Sequence, residues 1–565
     1  MRSFGTARAI LGFGIITMSL LLGAEGTAQP KPRRPGLAIK QIGIVAPNSI
    51  RIRLNPATNS LYVLQQDGTV NRVTIGPGDT ATFTTVVHPA DHGLSDVLGL
   101  AFGQDGTMFL VGNDSTGVIG TASIARGIPI SAGSDTRTWS RIATTVPYPY
   151  GHVYNHRMSG IIVNPNGDSI YVNSGAATDH GELREGNREV GLTSILLKLP
   201  VNGQNILLQD DREWLRTNGY LYAEGIRNTF DLAYAGNGDL FGVDNSGDRD
   251  DPDELNWIQE GHHYGFPWRM GNDITPQQFT PYDPRKDPLL NPLAWGGGNL
   301  YVTFSNDSTY PPPPANVTFD DPVPSSGPDA DDFRDTTTGA VQNASTLGLK
   351  IATFTPHRSP DGIVFDRDSL LSGDLKGGAF VISLSTSAPL VALRDTSQDL
   401  ALVTLTKSGD AYSATVKRLV SGFNSPLGIE LDTNRLFVLE TGLEAYNPSP
   451  KLWEITLPTG STTGVTSRGN APAGYALLQN YPNPFNPSTS ITFSLPKAIF
   501  VRLEVFNILG QHVQTLVNAW QISGFHSIQW EGIGSDGKPV ASGVYLCRLA
   551  AGGQFTQTMK MILNR

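Results

Sequence analysis

The chain has 565 residues, with 62 glycines and 39 prolines, while charged residues make up only 16%. Glycine and proline together exceed the ~12% of an average protein and charged residues fall below ~25%, a balance typical of many turns and few solvent-facing helices. The net charge of −10 argues against nucleic-acid binding, which requires a basic surface. The single cysteine, Cys547, excludes a disulfide framework and a four-cysteine zinc site.

The N-terminus has the pattern of a secretory signal peptide. Two arginines precede an apolar run from Ile10 to Leu22, and Ala28 ends a stretch of small residues suited to cleavage. We therefore predict a signal peptide over residues 1–28. The apolar run is short for a membrane span, although an uncleaved anchor is the alternative. Because no later segment reaches the ~18 apolar residues that a span requires, we expect no transmembrane segment in the mature chain.

One pattern recurs six times: an apolar strand, a turn with Asn, Asp or Gly, and a second strand with a large apolar pair. Its copies begin at Ile50, Leu98, Ser159, Thr229, Ser359 and Ser425. Such units are typical of propeller blades, which bury their faces against neighbouring blades. We predict an all-β fold with a six-bladed β-propeller over residues 38–457; two unrelated β-sandwiches are the alternative. Residues 276–347 interrupt the pattern and are expected to be an inserted surface loop.

Polar residues stand at the ends of the repeated strands. His156 lies directly before the third copy, Arg227 and Asn228 lie directly before the fourth, and an acidic loop over residues 244–254 follows. Loops from all blades of a propeller converge at the mouth of its central channel, so we expect a functional site there. Taken singly, each of these residues is also typical of an ordinary surface or packing position.

These segments resemble the soluble pyrroloquinoline-quinone (PQQ)-dependent sugar dehydrogenases of the glucose/sorbosone dehydrogenase family. The matching motifs are His-x-x-x-Gly from His156, the Arg227-Asn228 pair, Asp-Glu-x-Asn from Asp253 and Tyr-Gly-x-Pro from Tyr264. They follow the family's order and approximate distances over several hundred residues. The resemblance implies a quinone- and calcium-dependent oxidoreductase that oxidises an aldose or a related sugar alcohol group.

The resemblance also assigns roles to single residues. His156 would be the general base that takes the proton of the sugar hydroxyl, a task suited to imidazole. Arg227 would lie against the quinone oxygens and stabilise developing negative charge. Asn228 would form a hydrogen bond with the cofactor.

The same resemblance places Ca²⁺ on backbone carbonyls of a loop formed by Asn245, Ser246 and Gly247, since calcium prefers oxygen ligands. The chain departs from the family here. The family has a Gly-Pro step in this loop, and this sequence has no proline there. Ile226 also stands where the family usually has a histidine before the Arg-Asn pair.

A further departure concerns the cations that neutralise the carboxylates of the cofactor. The family carries arginines for this purpose in its last blades, and the sequence has none directly before the sixth repeat. Lys376 is predicted to be the substitute, with Arg358 and Arg418 as further candidates. The departures support an alternative function, a non-catalytic cell-surface propeller that binds glycan or protein. A third hypothesis is a metal-dependent hydrolase that uses the acidic loop with His262 or His263.

The composition changes after Leu457. Residues 458–474 are small and polar, which is typical of a linker. Residues 475–565 then show alternating apolar segments separated by glycine-containing turns, which predicts a small Ig-like β-sandwich of about seven strands. Cys547 lies on one of these strands and is expected to be a small buried hydrophobe.

This C-terminal block resembles the type IX secretion system (Por) C-terminal sorting domain. The resemblance is carried by the sequences QNYPNPFNP from Gln479, NILGQ from Asn507, WEG from Trp530 and KMIL from Lys560. It implies recognition by the type IX secretion machinery and a location outside the cell or on its outer surface. A plain Ig-like adhesion module is the alternative.

Overall fold

The computed structural model describes most of the chain. The described residues are 29–116, 118–149, 156–184, 186–291, 303–385, 387–443, 447–459, 474–480, 482–496, 499–521, 524–535 and 537–564. The predicted signal peptide and nearly all of the predicted linker lie outside these ranges, so both stay predictions.

The first three blades are antiparallel sheets, described from the centre of the ring outwards. Blade 1 consists of Ser49–Asn55, Ser60–Gln65, Val70–Ile75 and Ala81–Val87. Blade 2 consists of Val97–Phe102, Met108–Thr116, Ile119–Pro129 and Arg137–Thr145. Tyr148–Pro149 pairs with its third strand and Ile206–Leu208 with its outer strand. Blade 3 consists of Met158–Val163, Ser169–Ser174, Ile195–Pro200 and Leu221–Glu224.

The other three blades follow the same plan with two variations. Blade 4 has only three strands among the described residues, Thr229–Tyr234, Leu240–Asp244 and Glu254–Ile258. Blade 5 consists of Pro360–Phe365, Ala379–Ser383, Asp399–Ser408 and Ala411–Ser421, with Lys31–Pro32 and Ser325–Pro328 paired to its outer strand. Blade 6 consists of Pro426–Asp432, Arg435–Glu440, Lys451–Thr456 and Ala38–Ile44.

The six blades close into a ring. The innermost strand of each blade contacts the innermost strand of the next, and the strand of blade 6 contacts that of blade 1. Each of the six repeat copies in the sequence coincides with the innermost strand of one blade. The predicted six-bladed β-propeller is therefore confirmed.

Blade 6 is completed by a strand from the N-terminal side of the chain. Ala38–Ile44 pairs antiparallel with Lys451–Thr456, which lies more than 400 residues further along the sequence. Ile42 on this strand is buried and packs with the side chains between blades 6 and 1. This pairing holds the two ends of the ring together. It also means that Lys451–Thr456 is paired along both of its edges.

Apolar side chains between the blades supply the core. Separate buried clusters lie between neighbouring blades, such as the cluster of Val172 and Leu197 in blade 3 with Val111 and Ile124 in blade 2. Strands with apolar residues on both faces are expected when each sheet is covered on both sides. The repeated large apolar pairs in the sequence are these inter-blade contacts.

Charged side chains fill the centre of the ring below the mouth. Arg51 of blade 1 donates to the backbone carbonyls of Leu98 and Phe230, which lie on the innermost strands of blades 2 and 4. Asp231 of blade 4 pairs with Arg51 and with Arg53. These contacts connect blades on opposite sides of the ring.

The insertion is more structured than the expected surface loop. Ser325–Pro328 adds a parallel strand to blade 5, and Asp332–Arg334 pairs with Val341–Asn343 in a hairpin. Val323 and Ala330 are buried in the core shared by blades 4 and 5. The expectation of a surface loop is therefore wrong for the second half of the insertion, because its apolar residues cover blades 4 and 5.

The remaining elements are short. The helices are Pro89–His92, Arg212–Thr217, Ala344–Leu347 and Ala388–Ala392, and the 3-10 turns are Pro276–Gln278, Pro284–Lys286 and Gly373–Leu375. A two-residue hairpin joins Arg269–Met270 to Asp273–Ile274. Of the helices within the described ranges, none has the length and apolar character needed to cross a bilayer.

The C-terminal block forms two antiparallel sheets. One contains Ala476–Leu477, Thr489–Leu495 and Gly524–Trp530, and the other contains Ile499–Asn507, His512–Gln521, Gly543–Ala551 and Phe555–Leu563. Side chains from both sheets share one core, in which Phe493, Val501 and Cys547 are fully buried. This confirms the predicted small β-sandwich and the predicted burial of Cys547.

Candidate functional site

The loops before the innermost strands lie at one end of the ring, which we call the mouth. The antiparallel pairing places the first residues of an innermost strand opposite the last residues of the second strand, as Thr229 lies opposite Asp244 and Met158 opposite Ser174. Loops that follow the second strands therefore reach the same mouth.

Arg227 and Asn228 are fixed at the mouth by Asp244. The carboxylate of Asp244, at the end of the second strand of blade 4, accepts hydrogen bonds from the backbone N–H groups of both residues. Burial raises the pKa of Asp244 to about 6, although the two N–H donors and the charge of Arg227 oppose the rise. Arg227 and Asn228 are both buried.

His156 is brought next to Arg227 through the backbone of Ala176. His156 donates its N–H to the carbonyl of Ala176, and Ala176 donates its own N–H to the carbonyl of Arg227, at 2.9 and 2.7 Å. Gly175 is required at this close approach, because a Cβ there would lie 2.4 Å from the Cβ of His156. The structure thus brings together the predicted base and the predicted quinone contact.

The imidazole of His156 is neutral and has a spare nitrogen. Burial and the positive charge of Arg227 lower its pKa to about 3, and Asp179 opposes this shift. Its Nε2 is buried and has no hydrogen-bond partner among the described residues. An unpaired buried nitrogen is costly in a folded protein, which points to a ligand group that would satisfy it.

The guanidinium of Arg227 makes four hydrogen bonds inside the site. Nε donates to the backbone carbonyl of Asp179 at 2.9 Å, and Nη2 donates to its Oδ1 at 2.7 Å. Nη1 donates to the backbone carbonyls of Asn245 at 3.0 Å and Ser246 at 2.9 Å. Two of the three residues expected to hold calcium, Asn245 and Ser246, therefore have carbonyls that accept from an arginine.

The loop that carries these carbonyls is anchored from two sides. Asn245 Nδ2 donates to Ser359 and Asp361 of blade 5, both at 3.0 Å, while its Oδ1 is buried with no described partner. Ser246 donates its N–H to Asp253 at 2.8 Å. Gly247, the third residue predicted to hold the metal, lies against Asp179, where an added Cβ would be 3.0 Å from the carboxylate oxygens.

Asp179 and its neighbours were not predicted from the sequence as part of the site. Burial disfavours the charged form of Asp179, but Arg227 and His180 outweigh this effect and lower its pKa. Glu189 accepts hydrogen bonds from Ala177 and Thr178 and so holds the turn that presents Asp179. Their position in the sequence could have predicted them, because this polar segment directly follows the second strand of blade 3, as the acidic loop follows the second strand of blade 4.

Further buried carboxylates surround the site. Burial raises the pKa of Asp361 to about 6 and that of Asp248 to about 7, and the charge of Asp179 contributes to the latter. Burial also raises the pKa of Asp253. His357 pairs with Asp250 at 2.7 Å, and this partner outweighs burial and raises the imidazole pKa. The site is rich in groups that a cation would stabilise.

The structure does not bring Lys376 to the mouth. Lys376 is exposed and lies in the connection from the innermost to the second strand of blade 5, at the opposite end of the ring from Arg227. Arg358 does lie at the mouth, but it is buried and paired with Asp395 and Asp399.

Arg418 pairs with the same two carboxylates as Arg358. Another cation at the mouth is Arg157, which follows His156 in the sequence. The side chain of Arg157 is 40% exposed and pairs with Asp96. Both guanidinium groups are thus already engaged with carboxylates, as Arg358 is.

The two histidines of the hydrolase hypothesis lie against the outer strand of blade 3. His263 forms bridges with Glu224, on the outer strand of blade 3, and with Phe319. His262 pairs with Asp320 at 2.7 Å. Within the described part of the chain, no group of three or more His, Cys, Asp or Glu side chains is arranged to hold a metal ion.

A narrow cavity of about 10 Å³, roughly the room that one water molecule needs, lies behind the loop. It is lined by Asp179, Gly247, His180, Arg249, Asp251, Phe266, Met270, Thr275 and Phe304. Asp179 and Gly247 therefore separate this cavity from the guanidinium of Arg227.

Two family profiles match separate parts of the chain. Residues 48–297 match the glucose/sorbosone dehydrogenase family, and residues 479–564 match the secretion system C-terminal sorting domain. The first segment covers blades 1 to 4 and includes His156, Arg227 and the loop after Val243. No curated protein matches the chain significantly in sequence.

Several solved structures are similar to the chain. The holo PQQ domain of pyranose dehydrogenase from Coprinopsis cinerea is 15% identical, with 76% of this chain and 99% of that chain covered and a TM-score of 0.45. The PQQ-bound aldose sugar dehydrogenase from Streptomyces coelicolor is 15% identical, with 75% and 99% covered and a TM-score of 0.44. The apo-form soluble aldose sugar dehydrogenase from Escherichia coli is 12% identical, with 74% and 99% covered and a TM-score of 0.43.

The sorting-domain match indicates export through the type IX system. Residues 48–297 of this protein thus belong to the glucose/sorbosone dehydrogenase family, and residues 479–564 form a secretion system C-terminal sorting domain.

Proposed function

We propose that the propeller is an exported sugar dehydrogenase that works with PQQ and Ca²⁺ at the mouth of the ring. The observation that carries the proposal is the position of His156, whose unpaired Nε2 is buried beside Arg227. The family match over residues 48–297 supports a sugar or related alcohol as substrate. The sorting domain supports a location outside the cell or on its outer surface.

The residues present fit the reacting end of this cofactor. The carbonyls of Asn245 and Ser246, with the unpaired Oδ1 of Asn245, are the oxygen ligands that calcium prefers. Arg227 would lie against the quinone oxygens, and Asn228 beside it would add a polar contact. In such a site the quinone serves as a two-electron acceptor and calcium as its polarising Lewis acid.

His156 performs the proton transfer in this proposal. Its low pKa keeps the imidazole neutral at neutral pH, and in the tautomer with the proton on Nδ1 the lone pair of Nε2 is available to the hydroxyl of the substrate. A base with so low a pKa is weak, so it takes the proton as the carbon–hydrogen bond breaks rather than in advance. Arg227 supports this step by holding a positive charge beside the oxygen atoms that become negative.

The carboxylate end of the cofactor is where the fit is weakest. Arg358 is held by Asp395 and Asp399, and Lys376 lies at the other end of the ring. Arg157 is the half-exposed cation next to His156 that could take this role, if its contact with Asp96 is given up. A buried anionic group needs such a partner to offset its desolvation.

These same observations favour the second candidate, a non-catalytic propeller on the cell surface that binds glycan or protein. In that case Arg227 would keep its hydrogen bonds to Asn245 and Ser246 at all times, and no metal ion would replace it. The lack of arginine before blade 6 supports this alternative.

Reconstitution separates the two functions. The purified full chain is mixed with PQQ and Ca²⁺ and assayed with aldoses and a redox dye, with omission of each component and addition of a chelator as controls. The dehydrogenase proposal predicts dye reduction that requires both PQQ and Ca²⁺, together with the absorbance of bound quinone. Absence of both turnover and bound-quinone absorbance would leave the non-catalytic propeller as the function.

A further inference from the structure

We propose that Arg227 is the resident cation of the predicted calcium loop and that it competes with Ca²⁺ for the same two carbonyl oxygens. The inference rests on the proposed function for the identity of the metal, but not on catalysis. Its basis is the pair of hydrogen bonds from Arg227 Nη1 to the carbonyls of Asn245 and Ser246, at 3.0 and 2.9 Å.

The two occupants exclude each other by geometry. Calcium lies about 2.3–2.6 Å from its oxygen ligands. Nη1 of Arg227 is 3.0 and 2.9 Å from the two carbonyl oxygens, so an ion bound by both oxygens would overlap the position of Nη1. A positive guanidinium and a divalent cation would also repel each other at that separation. Calcium can therefore bind there only after the hydrogen bonds of Arg227 to Asn245 and Ser246 are broken.

Asp179 makes the arginine a strong competitor. Its Oδ1 and backbone carbonyl accept from Nη2 and Nε of Arg227, so the guanidinium is held by Asp179 as well as by the two loop carbonyls that accept from Nη1. Arg227 and Asp179 are both buried, and hydrogen bonds between charged partners are stronger than neutral ones. Four of the five N–H bonds of this guanidinium are therefore used by the protein itself.

The loop is also held by contacts other than those of Arg227. Asn245 is fixed by Ser359 and Asp361, and Ser246 is fixed by Asp253, so the loop has anchors that do not involve the arginine. The Oδ1 of Asn245, which is buried without a described partner, is a further oxygen on the same loop. Release of Arg227 from the loop would free its N–H groups for the quinone, so calcium loading and arginine release are one event.

The test is the affinity of the full chain for Ca²⁺ alone, measured by calorimetry without quinone or sugar. Replacement of the arginine, Arg227→Met, should strengthen calcium binding about tenfold or more, because charge-assisted bonds no longer have to be broken. The matched control is Arg358→Met, which removes another buried guanidinium at the mouth and should leave calcium binding unchanged.

A charge-balanced variant separates competition from simple electrostatics. Arg227→Met combined with Asp179→Asn uncaps the two carbonyls without leaving an unpaired carboxylate, and it should still bind Ca²⁺ more tightly than the native chain. A return to native affinity in this variant, or an equal gain in Arg358→Met, would overturn the proposal.

A conservative variant covers the case in which Arg227→Met fails to fold. Arg227→Lys keeps the charge but cannot donate to Asp179 and both carbonyls together, so its calcium affinity should lie above that of the native chain. Unchanged affinity in this folded variant would also overturn the proposal. Because no quinone is present, these results are independent of whether the protein oxidises sugars.

Discussion

The guanidinium of Arg51 lies 3.7 Å from the carboxylate of Asp231 at the centre of the ring, where each side chain is 1% exposed. The two residues come from blades 1 and 4, which face each other across the channel. Burial lowers the pKa of Arg51 to about 10, and the charge of Asp231 opposes this shift. Asp231 also pairs with Arg53, so one carboxylate compensates two guanidinium groups.

Loss of this carboxylate should destabilise the whole ring. Asp231→Asn would remove the ion-pair partner of the buried Arg51 and of the partly buried Arg53, and breaking a buried pair in this way costs about 3–5 kcal/mol. The control is Glu260→Gln, which removes an exposed ion pair with Lys198 and should cost less than about 1 kcal/mol. Denaturant unfolding measures both, and equal losses in the two variants would show that the central pair is not a structural tie.

The strand that closes blade 6 offers a second test of the ring. Ile42 is 2% exposed and Ile44 is 59% exposed on the same strand, Ala38–Ile44. Ile42→Ala should lower the free energy of unfolding by about 2–5 kcal/mol, because it opens a cavity between blades 6 and 1. Ile44→Ala should change it by less than about 0.5 kcal/mol. Thermal unfolding provides the comparison, and similar effects of the two changes would contradict the closure described here.

The buried carboxylates predict how stability depends on pH. Burial raises the pKa of Glu254 to about 8 and that of Asp248 and Asp251 to about 7, whereas such groups titrate near pH ~4 in an unfolded chain. Between these values the native protein holds protons that the unfolded chain has released, so stability falls as pH rises. We expect a lower unfolding temperature at about pH 8 than at about pH 5.5 in metal-free buffer.

The variant Glu254→Gln provides the control for this pH effect. A neutral glutamine cannot ionise, so the loss of stability between about pH 5.5 and 8 should become smaller than in the native chain. Asp179, whose pKa is lowered, contributes in the opposite sense but only in acid, below about pH 4. A native chain that gains stability between about pH 5.5 and 8 would contradict the assignment of these buried groups.

The C-terminal domain predicts the fate of a truncated chain. Removal of residues 475–565 takes away the whole sorting domain and leaves every strand of the propeller intact. The truncated protein should then accumulate in the compartment between the inner and the outer membrane of its host, whereas the full chain should reach the cell surface or the medium. Immunoblots of cell fractions measure this, and normal export of the truncated chain would show that the domain is not the export signal.

The sequence was sufficient to predict the six blades because each blade repeats the same local pattern. The copies from Ile50 to Ser425 each supply an innermost strand, and their apolar pairs become the contacts between blades. His156 and Arg227 could be predicted as neighbours because both precede innermost strands, which begin at one end of the ring. The structure agrees on their proximity, while their catalytic roles stay a prediction.

Other features depend on contacts between distant residues that no local pattern reveals. The guanidinium of Arg227 binds the loop carbonyls and also Asp179, which lies 48 positions before it in the sequence. Lys376 was predicted to be a cofactor ligand by charge alone, but the hairpin after Phe365 carries it to the other end of the ring. The inserted strand Ser325–Pro328 was missed because proline and serine do not predict pairing with a blade edge.

The most direct test of the central claim is the turnover of the variant His156→Gln in the PQQ- and Ca²⁺-dependent aldose assay. Glutamine keeps a polar side chain but cannot act as a base, so dye reduction should fall by about 10²–10⁴-fold while the absorbance of bound quinone is retained. A variant that oxidises aldoses at the rate of the native protein would contradict the role of His156 and with it the proposed mechanism.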